Sequence, residues 1–146
     1  MKFRHAMLSI LPFAALGACS GGAIETPMDP QAVAAAVEND LGMVCFEPEP
    51  GETIPCDVKA DPGRSRTYAD VRIQVVEADD RGEGVYEVST ISVRQSEIDR
   101  GQVEKFVSRF GFSAEDLEGA IVNGDRITRG PFTLDRFKTE SILIFD

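Results

Sequence analysis

Residues Tyr68–Val93, YADVRIQVVEADDRGEGVYEVSTISV, decide the fold. Val71, Ile73 and Val75 alternate with Arg72, Gln74 and Val76. That period of two is the mark of a half-buried strand, running from Tyr68 to Ala78. Asp79–Glu83, DDRGE, then reads as a turn, and Gly84–Val93 returns as a second β-rich run. Together they predict an antiparallel hairpin. The turn is acidic, but it lacks the alternating ligand spacing of a calcium loop and carries Arg81 where a ligand belongs. It reads as a solvated turn, and no metal site is expected anywhere in the chain.

Working outward, helical signals flank the hairpin on both sides. Upstream, Asp29-Pro30 opens a helix: Asp is a good N-cap, and Pro suits the first helical position. Val33, Val37 and Leu41 share one face, and Gly42 can close the end. Met43–Phe46 is a candidate short strand. Downstream, Ser96 and Asp99 resemble a capping box ahead of a helix carrying Val103, Phe106, Val107 and Phe110. Gly111 is a candidate C-cap. Ser113 opens a further helix with Glu115 and Asp116 in its first turn. Arg126–Thr128, Phe132–Leu134 and Ser141–Phe145 read as strands, the last (SILIF) as a buried one. Asn123-Gly124 and Gly130-Pro131 supply turns between them. This order predicts an α+β fold, a small antiparallel sheet with about three helices packed on it.

The amino terminus reads differently. Lys2 and Arg4 form a positive leader, followed by an apolar run from Ala6 to Leu16 and then small residues before Cys19. That is the layout of a secretory signal. The run is about half of the roughly 20 residues a membrane-spanning helix needs. Leu16-Gly17-Ala18-Cys19 resembles the lipobox of bacterial lipoproteins, with Leu16 at minus three and Ala18 at minus one. The resemblance covers the first nineteen residues only. It implies a signal peptide over 1–18, diacylglycerol in thioether linkage on Cys19, and acylation of the new amino terminus. Two or more buried chains hold a protein firmly on a bilayer. In enteric bacteria an Asp after the cysteine retains a lipoprotein at the inner membrane. Ser20 stands there, so the resemblance implies the outer membrane, facing the periplasm. Residues 19–28 then read as a lipidated, flexible, Gly-containing tether, and 29–146 as a single domain.

With Cys19 acylated, two cysteines remain, and in an oxidising compartment Cys45 and Cys56 are expected to pair. They bracket CFEPEPGETIPC. Pro48, Pro50, Gly51 and Pro55 predict a loop without regular structure, continuing from Asp57 to Arg66. Glu47, Glu49 and Glu52 make this loop acidic. It reads either as a staple for a modest core or as a preorganised binding loop.

Composition narrows the chemistry. The formal charge is −10, and removal of Lys2 and Arg4 with the signal leaves −12. Nucleic-acid binding is not expected without a local basic patch. The charge is uneven, with nine acids and one base, Lys59, between Glu25 and Asp61. The only histidine, His5, lies in the signal. The mature chain therefore lacks the imidazole of Ser-His, Cys-His and His-ligated zinc sites. No catalytic motif and no cofactor signature is present. Three classes of function follow. The first is a membrane-tethered, non-catalytic interaction or accessory protein of the cell envelope, contacting the bilayer through Cys19 and an envelope protein through its domain. The second is an inhibitor or immunity-type binder of a cationic envelope enzyme, using Glu47, Glu49 and Glu52. The third is a carboxylate-based hydrolase, for which no motif singles out a pair of acids.

Overall fold

The structure is a computed structural model and describes residues 22–46, 52–57 and 70–146. Its centre is one antiparallel sheet of seven strands: β1 (Val44–Cys45), β2 (Ile54–Asp57), β3 (Val71–Glu77), β4 (Tyr86–Arg94), β5 (Ile127–Arg129), β6 (Phe132–Phe137) and β7 (Ser141–Phe145). They lie in the order β1-β2-β3-β4-β7-β6-β5. The expectation of a small α+β sheet is thereby corrected: with seven strands, the fold is dominated by its sheet. The closing step is the pairing of β4 with β7, which joins a strand of the first hairpin to the last strand of the chain. Such a long-range pairing leaves no mark in local periodicity.

The predicted hairpin forms as β3 and β4, with a register shift at Gln74/Val75. The alternation of β3 is seen in its burial: Val71, Ile73 and Val75 are buried, and Arg72, Gln74 and Val76 are exposed. Register lines up one inward side chain per strand, Ile54, Ile73, Ile91, Ile144, Leu134 and Ile127, into an aliphatic row across six strands. Against this row pack three helices, α1 (Pro30–Leu41), α2 (Arg100–Ser108) and α3 (Ala114–Glu118). Val33, Val37, Val103, Phe106, Val107 and Leu117 fill the space between the layers, all fully buried. At about 25 cal/mol per Å² of apolar surface removed from water, this single core is the main stabilising term.

Local chemistry sets the helix limits. The Asp29 carboxylate accepts from the Ala32 backbone N–H at 2.9 Å, and Gly42 ends α1 in the left-handed region at φ 63. Between β4 and α2 the chain makes a 3-10 turn, Gln95–Glu97. The expected Ser96 cap is therefore corrected to Asp99, whose side chain accepts from Gln102 N–H. Ser113 and Asp116 form a complete capping box on α3, each side chain accepting from the other's backbone N–H. Beyond α3 the helix widens into a π-type turn, Gly119–Asn123.

The second local correction is β2, which occupies a stretch read as loop. Pro55 lacks an N–H, yet it sits inside the strand opposite Arg72. Its carbonyl accepts from Phe46 N–H, on the side of the two-residue edge strand β1. The missing donor thus faces the short edge rather than β3, which is where a strand tolerates proline.

Candidate interaction surface

The predicted site residues divide into those inside and those outside the described part. Cys19, Glu47 and Glu49 lie outside the described residues. Glu52 is described and exposed. Cys45 and Cys56 form a disulfide, and the register explains it: they are directly opposed partners on β1 and β2, with Cα atoms 4.0 Å apart. The structure thus brings the two cysteines together and gives no geometry for the three glutamates as a group.

A different surface emerges from the sheet. All three helices lie on the side of the aliphatic row, and the described residues place no element over the central strands on the other side. Side chains on that open side also form rows. One runs Gln74, Thr90, Phe145, Thr133, Thr128 from β3 to β5. The next runs Pro55, Arg72, Ser92, Leu143, Asp135 from β2 to β6. A third holds Arg94, Ser141 and Phe137. Leu143 and Phe145 are half-buried at the centre, and Phe137 is 48% exposed at the rim. An aliphatic and aromatic centre framed by hydroxyls is unusual for a solvated sheet face, which normally alternates cleanly to polar.

Arg72, Arg94 and Arg126 stand on or beside the open face. The Arg126 guanidinium lies 5.2 Å from the centre of the Phe145 ring, within cation–π range, with Asp135 at 3.9 Å. Glu87 is matched by Arg81 at 2.9 Å. Among the described residues, neither Arg72 nor Arg94 has an ion-pair partner. Three arginines thus stand around Leu143 and Phe145 in a chain whose formal charge is −10.

The acids that stand out on the helical side are structural. Asp116 holds its carboxyl below the ordinary range, chiefly because the Ser113 backbone N–H donates to it. Partial burial opposes this, and the Arg129 guanidinium at 2.8 Å adds to it. Asp40 is held by Arg109 and approached by Lys105. By strand alternation Asp57 and Asp70, one position beyond the paired Cys56 and Val71, fall on the open side in register with Arg94; both are buried, and each is engaged by a neighbour. Among the described residues, no group of three or more Cys, Asp, Glu or His could hold a metal ion. Among them, too, no helix is long and apolar enough to cross a membrane.

Sequence reasoning missed the open face. Its one signal was SILIF itself, apolar at both inward and outward positions, which was read as burial on both sides. Comparison of the chain with family models, with curated proteins and with solved structures gives no match.

Proposed function

We propose that this protein is a membrane-tethered, non-catalytic interaction protein of the cell envelope. It is held by acylated Cys19 at the outer membrane, faces the periplasm, and docks an acidic envelope protein on the open face of its sheet. The attachment rests on the lipobox-like Leu16-Gly17-Ala18-Cys19. The docking reading is carried by one observation: Leu143 and Phe145, half-buried, lie at the centre of a sheet face framed by Arg72, Arg94 and Arg126, with no other described element over them. An apolar centre with aromatic and Arg neighbours matches the make-up of protein contact sites. The arginines select an acidic counterpart and speed its approach.

In-cell crosslinking of the full-length, lipidated protein, followed by mass spectrometry, tests this. One dominant protein is expected. Its yield should fall with Cys19→Ser and disappear with Leu143→Glu, which removes the apolar centre and adds a charge that repels an acidic partner. A dominant partner whose crosslinks survive both Leu143→Glu and Arg72→Glu would place the contact elsewhere. A cationic hydrolase as that partner would favour the inhibitor class instead.

A further inference from the structure

Residues 22–28, expected as a flexible tether, are described as a strap fastened along the helical layer. Met28 is fully buried in the core, and its carbonyl accepts from Val88 N–H at 2.9 Å. Ile24 packs against the core, and its N–H donates to the Arg109 carbonyl at 2.9 Å. The Arg109 guanidinium donates in turn to the Gly22 carbonyl at 3.3 Å. Arg109 is itself fixed by Asp40, so the strap ends on a rigid support. The described backbone therefore comes within three residues of Cys19. Even fully extended, three residues reach only about 10 Å.

From this we infer that the surface around Gly22, at the C-terminal end of α2, is a membrane-contact surface that sits on lipid headgroups and turns the open sheet face away from the bilayer. The inference rests on the reading of Cys19 as acylated. A lipid in the bilayer and a reach of about 10 Å leave the folded domain no room to stand off or tumble. The end of α2 must lie at the headgroups. Its side chains suit that place. Lys105 is 60% exposed, and the nearby Arg129, whose Cβ lies 3.7 Å from the Cβ position at Gly111, is 53% exposed. Both can meet headgroup phosphates. The anchor leaves from the helical side, so a helix of about 10 Å diameter stands between the bilayer and the sheet. The docking face then points into the aqueous compartment, where a soluble partner can reach it.

The test uses the lipidated protein, purified from membranes and reconstituted into vesicles of phosphatidylethanolamine and phosphatidylglycerol carrying headgroup nitroxides. A fluorophore is attached at Ser108→Cys, beside the strap-bonded Arg109, or at Gln74→Cys on the open face. Both positions are exposed, so the fold survives the change. Quenching is expected to be several-fold stronger at position 108 than at 74. Insertion of about ten Gly/Ser residues after Ser20 should abolish the difference, because a flexible chain of that length frees the orientation. The mass of the amino-terminal peptide separates the two ways of failing. A diacyl modification with equal quenching at both positions overturns the inference alone. Absence of acyl chains overturns the reading of Cys19 and this inference with it.

Discussion

Arg109 and Asp40 form a bidentate ion pair across 69 residues of chain, with the Asp40 side chain fully buried and the Arg109 side chain 6% exposed. Nη2 meets Oδ1 at 2.8 Å, and Nε donates to Oδ2. The pair sits where the C-terminal ends of α1 and α2 meet, and it supports the strap through the Gly22 carbonyl. A buried pair of this kind contributes little over an apolar replacement, because both charges leave water. Removing one partner strands the other.

Asp40→Asn or Arg109→Met is therefore expected to cost about 3–5 kcal/mol. The joint replacement Asp40→Leu with Arg109→Met should cost less than the sum of the single changes, because it strands no charge. Urea unfolding of the four proteins measures this. Additive single-site losses would show that the two residues do not act as a pair.

Asp116 supplies half of the α3 capping box and receives Arg129. Its folded-state pKa is depressed, first by the Ser113 backbone N–H, so its stabilising contribution is present above the unfolded pKa and lost as pH falls through the folded value. Asp116→Asn should cost about 1–2 kcal/mol at pH 7, the scale of a lost cap. The gap to the native protein should close as pH drops below about 4. Thermal unfolding at several pH values reads this directly, and a gap that stays constant into acid would contradict the assignment.

The two faces of β7 should respond unequally to truncation. Ile144, in the aliphatic row, is fully buried, and Ile144→Ala should cost about 2–5 kcal/mol. Leu143, its half-buried neighbour on the open face, should lose about 1 kcal/mol or less on change to Ser, since surface-side changes usually stay small. Equal losses at both positions would mean that the outward face is covered in solution.

Removal of residues 141–146 should leave no folded protein. β7 lies between β4 and β6, so its loss exposes one edge of each and divides the sheet. Recovery of soluble, protease-resistant protein after this deletion would refute the placement of β7.

The Cys45–Cys56 disulfide closes a short loop with a sequence separation of 11, for which loop entropy predicts about 2–3 kcal/mol. Cys45→Ala with Cys56→Ala should lower the stability of the oxidised protein by about that amount, and added reductant should then have no further effect. Matching urea midpoints for native and double-Ala protein would rule out a stabilising role.

Much of the local structure was legible because local chemistry specifies it. Asp29-Pro30 and Gly42 bound α1 where their capping chemistry placed them. Val71, Ile73 and Val75 point inward as their alternation predicted. Where reading failed, a non-local fact decided. Pro55 looked like a breaker until β1 proved too short to need its N–H. Ser20–Met28 looked like a tether because small and polar residues carry no periodicity, yet Met28 is in the core and Gly22 is held by Arg109. The open face escaped notice because Leu143 and Phe145 signal burial in any single sequence. Only the position of the helices shows that nothing described lies over them.

By itself, then, the sequence determined the caps of α1 and the N-cap of α3, the inward faces of the helices and strands, the hairpin and the candidate cysteine pair. These depend on residues within a turn, a heptad or a short loop of one another. Among the described residues, the tertiary structure alone decided that seven strands form one sheet, that β7 lies at its interior, and that no element lies over one face. Those features depend on which distant segments bury surface together, and burial is a property of the assembled chain, so no local pattern contains it.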